Sequence, residues 1–392
     1  MSSPVTVDRV IAFRMQAHHL SGPADGLPGA AGAIGVQDSP PGSALLALAA
    51  RLPGLTPEGF AGALADRSLL STWGVRGAPW VFPTADLDVF TTGVLPPTAR
   101  GREELVIGVR PVIRRLGMSF DDVVPLVRDR LDEVLSHRRL PIGPLGTEIA
   151  SRIAPHLDPG RRAEWDAEGP YSPGQPAGEG VVHFALRILT LEQALCFAPR
   201  DGDTAPFVLL GDWLGPDRTP GDAPAARAEL LRRFLRCYGP ARPRDFASWM
   251  GVRPGDAAGW WDLLDGELTP VGPGDSIWIL TEDLDRWRGA PEPSGLRLLP
   301  PHDPYLQQRD RATIAEPASH AAIWKTVGAP GAVLVDGRVR GIWRPRKQGR
   351  TLTLRVTPFT PFDHGVRGEL DAAAHRMAAL RGTPVVRVVT EL

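Results

Sequence analysis

Residues 225–280, AARAELLRRFLRCYGPARPRDFASWMGVRPGDAAGWWDLLDGELTPVGPGDSIWIL, decide the fold more clearly than any other stretch of this sequence. Leu231, Phe234 and Leu235 recur at the spacing of one helix face, which predicts a helix over 225–238. Gly239-Pro240 follows directly and ends this helix, because proline cannot continue the hydrogen-bond ladder. The stretch therefore opens on one amphipathic helix with a sharp end.

Two shorter helices and a hairpin complete this stretch. Residues 243–250 and 254–264 are predicted to be helical, and Gly251 lies just past the end of the first of them. Strands are predicted over 267–271 and 276–280, on either side of a turn rich in glycine and proline. Helix, turn, helix, helix and hairpin is the element order of a winged helix-turn-helix, a module typical of DNA-binding proteins.

The same pattern is predicted twice upstream. The first copy, residues 1–118, has helices followed by a hairpin with Arg76-Gly77 in its turn, and its elements cover 6–20, 40–52, 56–66 and 69–82. The second copy, residues 119–222, has a polar loop before a strand-like run that we interpret as its wing, and its elements cover 120–135, 147–157 and 181–189. Residues 223–290 then form the third module.

From residue 291 to residue 392 the apolar residues alternate, which is typical of strands. Asp336-Gly337 lies between two such runs, and this dipeptide favours a type I′ turn in a hairpin. One helix is predicted over 367–381 and a last strand over 384–390. The predicted fold class is therefore α+β, with tandem winged helix-turn-helix modules and a small, β-barrel-like C-terminal domain.

Composition limits the function classes. The chain has 392 residues and a net charge of −1, so it lacks the strongly basic balance of a nucleic-acid coat protein. Two cysteines, Cys196 and Cys237, are too few for a disulfide scaffold or a metal cluster. Neither a signal peptide nor a membrane span is predicted. We expect a cytoplasmic protein without metal or other cofactor.

Several segments, in this order and at this spacing, resemble the winged-helix DNA-binding family that includes the AlkZ-type bacterial DNA glycosylases. Each segment is short, and together they extend over most of the chain. They are His18-His19-Leu20, Gly35-Val36-Gln37, Ser43-Ala44, Thr72-Trp73-Gly74-Val75-Arg76-Gly77, Arg233 to Pro240, Leu298 to Tyr305, Val335 to Val339 and Gly341-Ile342-Trp343-Arg344.

The resemblance implies a protein that wraps duplex DNA and removes bulky alkylated bases, in a family that protects producers of DNA-alkylating natural products. Glycosylases of this family carry a Gln-x-Gln pair in the segment that matches Gln37-Asp38-Ser39, and some relatives carry Gln-x-Asp or His-x-Gln. This sequence keeps the first glutamine, Gln37, and has Ser39 in place of the second. The catalytic candidates are therefore Gln37, Asp38 and Ser39.

The chemistry suits these residue types. An N7-alkylated purine is cationic and leaves readily, so the reaction needs an oriented water and a stabilised oxocarbenium-like sugar. The Gln37 amide can orient water, whereas the Asp38 carboxylate can also take its proton. Neighbours in an extended segment face opposite sides, so the two converge only if the chain turns before Pro40-Pro41. Alternatively, Asp38 or Ser39 caps the next helix and Gln37 binds backbone.

The lysine content predicts which type of glycosylase this would be. Lys325 and Lys347 are the only lysines, and both lie far from Gln37 in sequence. A glycosylase with lyase activity needs an amine, usually a lysine, to form a Schiff base. We therefore expect a monofunctional enzyme that uses water.

Candidate DNA contacts are basic residues at predicted turns. Arg344, Arg346, Lys347 and Arg350 surround one predicted hairpin tip, where they would contact phosphates or enter the minor groove, although charged turns are often only solvated. Arg76 lies in the first hairpin turn. Near it, Trp80 is a candidate for stacking beside a lesion or for core packing. A second basic cluster, which is equally well explained as a solvated helix face, comprises Arg232, Arg233, Arg236, Arg242 and Arg244.

The leading hypothesis is thus a monofunctional DNA glycosylase that excises bulky N7- or N3-alkylated purines from duplex DNA. The alternative is a non-catalytic winged-helix DNA-binding protein, such as a regulator or a lesion sensor, which would tolerate Ser39 freely. A third role, protein binding, would be opposed by a salt-dependent affinity for DNA. Because tandem modules in one chain already supply a long surface, we expect a monomer.

Overall fold

The computed structural model describes residues 5–202, 204–216, 218–272, 277–383 and 385–391. It has the mixed α+β fold predicted from the sequence. Within the described residues, no helix is both long enough and apolar enough to cross a membrane.

The N-terminal part combines short helices with three strands. Its elements are α1 (Val7–Ala17), α2 (Gly26–Gly32), β1 (Val36–Gln37), α3 (Ser43–Ala49), α4 (Pro57–Ala65), β2 (Leu69–Trp73), β3 (Pro79–Pro83), α5 (Leu87–Phe90), α6 (Ala99–Leu105) and α7 (Arg110–Leu116). Thr6 and Thr56 cap α1 and α4 through their side-chain oxygens. Arg76 and Gly77 both have positive φ, 58° and 64°, so the predicted turn between β2 and β3 is confirmed.

The second part is mostly helical. Its elements are α8 (Phe120–Arg128), α9 (Leu131–Leu135), α10 (Ile142–Ile153), α11 (Pro159–Asp166), α12 (Ala177–Leu191), β4 (Leu195–Phe197), β5 (Phe207–Leu209) and α13 (Leu210–Leu214). The wing strand predicted over residues 181–189 is wrong, because this run lies inside α12. Most of α12 is buried, so its apolar residues show no single stripe, and such a run does not distinguish a strand from a buried helix.

The third part has the predicted element order. Its elements are α14 (Ala223–Tyr238), α15 (Pro243–Met250), α16 (Pro254–Trp261), β6 (Leu268–Val271), β7 (Ile277–Leu280) and α17 (Leu284–Gly289). Gly251 ends α15 in the left-handed conformation, with φ of 77°. Residues 273–275 of the predicted turn between β6 and β7, and residue 276, where the second strand was predicted to begin, lie outside the described residues. The grouping of these elements into tandem winged helix-turn-helix modules stays a prediction.

The C-terminal part is a five-stranded sheet with one long helix. Its elements are β8 (Leu296–Leu299), α18 (His320–Ile323), β9 (Gly331–Val335), β10 (Arg338–Gln348), β11 (Thr351–Pro358), α19 (His364–Leu380) and β12 (Val385–Thr390). Asp336 and Gly337 both have positive φ, as the predicted type I′ turn requires. The strand order is β12-β11-β10-β9-β8, so within the described residues β8 and β12 are free edges. The predicted β-barrel-like closure is therefore wrong. Instead, α19 packs its apolar residues on one face of the open sheet.

A second five-stranded sheet joins the first two parts of the chain. Its order is β1-β3-β2-β4-β5, so strands from residues 36–83 and from residues 195–209 share one sheet. The domain boundaries predicted after residues 118, 222 and 290 stay predictions.

Buried arginines tie the N-terminal part to the segment after β8. Arg51, at the end of α3, makes two bonds of 2.9 Å to the carboxylate of Asp303, and both side chains are at most 2% exposed. Arg14 of α1 donates to Gln308 Oε1 at 2.6 Å and to Asp310 Oδ1 at 2.7 Å. These bonds hold residues 303–310 against α1 and against the end of α3, the helix that follows β1 in the chain.

Candidate functional site

Gln37 lies at the end of an edge strand, with its side chain turned into the protein. β1 pairs with β3, so that Gln37 lies opposite Trp80. Gly35 has a φ of 73°, and a Cβ there would lie 2.8 Å from the Trp80 ring. Only glycine permits this close approach, which sets β1 against the Trp80 side chain. As a result Gln37 is only 8% exposed.

The Gln37 side chain bonds to another side chain rather than to backbone. Its Oε1 accepts a hydrogen bond of 3.2 Å from Nε2 of Gln307. Gln307 ends the single 3-10 turn Pro304–Gln307, which begins where Asp303 accepts from the Tyr305 N–H. Because Gln307 is itself only 6% exposed, the two amides meet in a buried position.

Gln307 is held at both ends of its amide. Its Oε1 accepts from Nη2 of Arg76 at 2.6 Å, and its Nε2 also donates to the carbonyl oxygen of His302 at 2.9 Å. Arg76 in turn donates through Nη1 to the carbonyl oxygen of Trp249 in α15. We call Arg76, Gln307 and Gln37 the amide relay. It connects the β2–β3 turn and the segment after β8 to β1.

Arg76, predicted as a DNA contact, is therefore engaged inside the protein. Its guanidinium is partly buried, and this burial, with the nearby charge of Arg309, lowers its pKa to about 10. At neutral pH Arg76 remains a cation, and its two Nη atoms donate to Gln307 and Trp249. The structure thus gives Arg76 a role in organising the site, and not the phosphate contact that we expected.

Asp38 caps a helix, as one of the two interpretations of the sequence proposed. Its Oδ1 accepts from the N–H groups of Gly42 at 2.8 Å and Ala44 at 3.1 Å, at the start of α3. Its Oδ2 lies 3.5 Å from Nε of Arg200. Ser39 is partly buried, and within the described residues its hydroxyl has no hydrogen-bond partner.

Gln37 and Asp38 do not converge on one partner. Gln37 bonds to the segment after β8, whereas Asp38 bonds to α3 and faces Arg200. This is the alternation expected of neighbouring residues in extended backbone. The arrangement supplies an oriented amide at Gln37, and a carboxylate nearby that is already committed to the main chain of α3.

Trp80 is part of the core and presents no ring face for stacking. Its side chain is 0% exposed, and its Nε1 donates to the carbonyl oxygen of Val75 at 3.1 Å. It packs edge-on against Trp249, with 6.3 Å between ring centroids. Of the two roles considered for Trp80, the structure places it in core packing.

His302 lies beside the amide relay in a left-handed conformation, with φ of 60°. Burial and the charge of Arg76 lower its pKa, so the imidazole is neutral at neutral pH. The adjacent Asp303 is fully bonded to Arg51 and to the Tyr305 N–H. Asp303 therefore has a structural role.

The predicted basic hairpin is present, although its cations belong mainly to a strand. Arg344, Arg346 and Lys347 lie within β10, which pairs with β11, and only Gly349 and Arg350 connect the two strands. All of these side chains are exposed. Arg344 donates to the carbonyl oxygen of residue 328 at 2.8 Å.

Strand pairing extends this positive charge across the sheet. Arg344 lies opposite Arg355, and Arg346 lies opposite Thr353, whose neighbour on β12 is Arg387. These residues share the face that points away from α19, since the alternate residues of β11 are buried against that helix. We call the four arginines on it, 344, 346, 355 and 387, the basic face. Arg355 and Arg387 were missed in the sequence, because only the pairing of β11 with β10 and with β12 places them on this face.

The second basic cluster is largely neutralised within the protein. Arg232 makes two bonds of 2.7 Å to Glu267, and Arg233 makes two bonds of 2.7 Å to Asp86. Arg236 is paired with acidic side chains too. For these three arginines the structure supports a role in holding α14 in place. Among the described residues, no group of three or more His, Cys, Asp or Glu side chains could hold a metal ion.

Comparisons with known proteins agree on one family. The family model named DNA glycosylase AlkZ-like matches residues 30–380. The interstrand DNA cross-link repair glycosylase of Streptomyces sahachiroi is 30% identical over 183 residues, which are 44% of this chain and 48% of that protein. The aligned part thus spans about half the length of this curated relative.

The fold has a solved counterpart. The structure of the DNA glycosylase AlkZ of Streptomyces sahachiroi superimposes with a TM-score of 0.75, over 99% of this chain and 100% of that one. The sequence identity in this superposition is 22%, so the match establishes the shared fold.

Proposed function

This chain belongs to the AlkZ-like DNA glycosylase family, and we propose that it hydrolyses the N-glycosyl bond of bulky N7- or N3-alkylated purines in duplex DNA. The name of the Streptomyces relative, an interstrand cross-link repair glycosylase, supports a lesion of this class. Alkylating agents with two reactive groups form cross-links of this kind, and the adducts that they leave are alkylated bases. We further propose that the protein defends its host against such a genotoxic natural product.

The observation that carries this proposal is the environment of Gln37. If Gln37 were only structural, its amide would be expected to bond to nearby backbone. Instead it is held by the side chain of Gln307, which Arg76 holds in turn. A buried amide that is held by other side chains has a fixed direction, because each hydrogen bond restricts a rotation that a free glutamine side chain would keep. An amide with a fixed direction can orient a bound water.

The proposed reaction needs little proton transfer. The electrons of the C1′–N9 bond leave with the cationic alkylated base, and the oxygen of a water adds to the resulting oxocarbenium-like C1′. This water loses its proton to solvent after attack, so that an abasic site and the free base remain. Gln37 would orient the water, and no strong base is required of Asp38.

The amines of the chain favour a monofunctional enzyme. Its only lysines, Lys325 and Lys347, are exposed and lie in the C-terminal part, whereas Gln37 is buried in β1. A lyase step would need such an amine at C1′ to form a Schiff base. The pure protein should therefore release bases without nicking the strand, and nicking without heat or alkali would refute this part of the proposal.

The basic face is proposed to bind the DNA backbone. Its arginines are exposed, and guanidinium groups bind phosphates through paired N–H donors. One chain then supplies both the Gln37 site and the DNA-binding surface, so we propose that it acts as a monomer.

The decisive experiment measures base release from a duplex that carries one bulky N7-alkylguanine. We expect release by the wild type and a loss of about tenfold or more in Gln37→Ala, because an unoriented water is a poor nucleophile. Gln175→Ala is the matched control, since Gln175 is a partly buried glutamine of the second part of the chain. A strand-nicking assay on the same reactions reports lyase activity.

A second variant tests whether the carboxylate of Asp38 takes part in the reaction. Asp38→Asn removes the charge but keeps an oxygen for the N–H groups of Gly42 and Ala44, so we expect release to fall by less than about threefold. A loss of tenfold in this variant would instead make Asp38 the acceptor of the water proton. No release by the wild type from several adducts, with salt-sensitive duplex binding retained, would favour the alternative of a non-catalytic DNA-binding protein, to which Ser39 is no obstacle.

A further inference from the structure

We propose that Gln307 is a positioning residue of this site, which fixes the direction of the Gln37 amide. Gln307 would thus provide a second glutamine side chain at the site, although position 39, where glycosylases of the family carry their second glutamine, is Ser39. The inference rests on the proposed glycosylase function. It concerns a residue that lies 270 positions from Gln37 in the chain.

The chemistry of the partners dictates how both amides point. A guanidinium has only donors, so the group that Gln307 turns toward Arg76 is its oxygen. A backbone carbonyl only accepts, so the group turned toward His302 is the Gln307 nitrogen. The same nitrogen reaches Gln37, which must therefore present its own oxygen.

This direction matters for what Gln37 offers to a substrate. One lone pair of its Oε1 is used by Gln307, and the other remains available to accept from a water. The NH₂ group of Gln37 is left to donate to an acceptor on the base or the sugar. If the amide were rotated by half a turn, the donor and acceptor would be exchanged, and the water would be bound through the wrong atom.

The amide relay is rigid enough to hold the Gln37 amide in this one direction. Gln37 and Gln307 are at most 8% exposed, so water does not compete freely for their bonds. Arg76 is anchored by the Trp249 carbonyl oxygen and sits at a left-handed position of a tight turn. A left-handed non-glycine residue persists where surrounding contacts determine it, and here these contacts include the relay.

The test substitutes Gln307→Glu. A carboxylate of the same shape still accepts from Arg76, but it cannot donate to Gln37 Oε1. The Gln37 amide must then turn its NH₂ group toward residue 307. We expect the single-turnover rate of base release at saturating duplex to fall about tenfold, while the Kd for the same duplex changes less than about twofold.

The neighbouring residue provides a matched control. Gln308 is also buried, its Oε1 accepts from Arg14 at 2.6 Å, and its Nε2 donates to the Tyr305 carbonyl oxygen at 2.8 Å. Gln308→Glu therefore makes the same chemical change next to an arginine without touching Gln37. We expect it to release base at the wild-type rate. An equal loss in both glutamate variants would show that folding, and not the Gln37 amide, explains the effect.

A double-mutant cycle separates positioning from an independent role. In the Gln37→Ala background, Gln307→Glu should cause no further loss, because there is no amide left to position. A full additional tenfold loss, or a wild-type rate in Gln307→Glu alone, would overturn the proposal.

A spectroscopic measurement keeps the inference testable apart from activity. With ¹⁵N-labelled glutamine, the side-chain NH₂ signal of Gln37 is identified by its absence in Gln37→Ala. We expect this signal to shift in Gln307→Glu and to stay in place in Gln308→Glu. If the wild type releases no base yet the signal shifts as expected, the glycosylase proposal fails and the relay stands. If the signal stays in place in Gln307→Glu, the relay itself is wrong.

Discussion

The amide relay and the basic face are both polar, but they are built in opposite ways. Gln37 and Gln307 are buried, and partners on three segments of the chain fix their direction. The arginines of the basic face are exposed, and strand pairing alone sets their spacing. The bonds of the buried amides fix their orientation, whereas the exposed arginines would increase the affinity for DNA by releasing counterions from the phosphates. Substitutions should thus affect rate in one region and binding in the other.

The largest effect is expected where the buried framework is broken. Asp303→Ala leaves Arg51 buried without its partner, and we expect the free energy of unfolding to fall by about 3–5 kcal/mol. The measurement is urea denaturation followed by tryptophan fluorescence. Because Asp303 also starts the turn that carries Gln307, base release should be lost as well.

An exposed ion pair is the control for this prediction. Arg338→Ala breaks a bond of 2.7 Å to Asp8, but the two side chains are 40% and 74% exposed. We expect a change of about 0–1 kcal/mol. Similar losses in the two variants would contradict the contrast between buried and exposed charges.

The basic face should respond through binding. The double variant Arg346→Ala/Arg387→Ala removes two phosphate contacts, so the slope of log Kd against log salt should become shallower by about 1.8. Between 50 mM and 200 mM salt, this corresponds to roughly a tenfold smaller change in Kd. The rate of base release at saturating duplex should stay the same. Fluorescence anisotropy with a labelled duplex at several salt concentrations measures the slope.

Two arginines outside this face test whether position matters. Arg114 on α7 and Arg162 on α11 are exposed and lie outside the C-terminal sheet, so Arg114→Ala/Arg162→Ala removes the same net charge elsewhere. This variant should keep the wild-type slope. A matching decrease would mean that net charge, and not the basic face, governs binding.

The sequence predicted the local elements well where local signals are strong. The bounds of α15 were predicted to the residue, and Asp336-Gly337 was correctly assigned to a tight turn. The run 181–189 failed, since a helix buried on most sides carries no periodic stripe. Barrel closure failed for another reason, because closure depends on how the edge strands β8 and β12 meet, which alternation along one strand does not encode.

The candidate site was predicted only in part. Gln37 was identified by resemblance, and the capping role of Asp38 was one of the two interpretations that the local sequence allowed. Gln307 carried no signal, because its role arises from a contact across most of the chain. Arg76 was expected to contact DNA but bonds inside the protein, since a turn position does not reveal which side faces solvent. For Trp80 the sequence left stacking and core packing open, because an aromatic residue alone does not distinguish them.

A buried histidine predicts how the framework depends on pH. Burial, with the charges of Arg51, His19 and Arg14, lowers the pKa of His18 well below 6.5. The unfolded chain therefore binds a proton below pH 6.5 that the folded chain does not, and stability falls as the pH falls. From pH 7.5 to 5.5 this costs at most about 1.4 kcal/mol, the limit in which the folded chain binds no proton at His18.

Urea denaturation at the two pH values measures this effect. His18→Asn should lower stability at both pH values but reduce the loss between them, since the titrating group is gone. His156 is exposed, so His156→Asn should keep the wild-type pH dependence. An unchanged pH dependence in His18→Asn would assign the acid sensitivity to other groups.

The smallest effect is expected at Asp38, the polar residue next to Gln37 that the main chain uses. Asp38→Ala removes the acceptor for the N–H groups of Gly42 and Ala44, so stability should fall by about 1 kcal/mol. Asp38→Asn keeps an acceptor, so its stability should fall by only a few tenths of 1 kcal/mol. If base release follows stability across the two variants, Asp38 acts by holding α3. If Asp38→Asn is stable but inactive, the charge of Asp38 takes part in the reaction. Asp38 would then be a catalytic residue beside Gln37, and not only the acceptor that holds the start of α3.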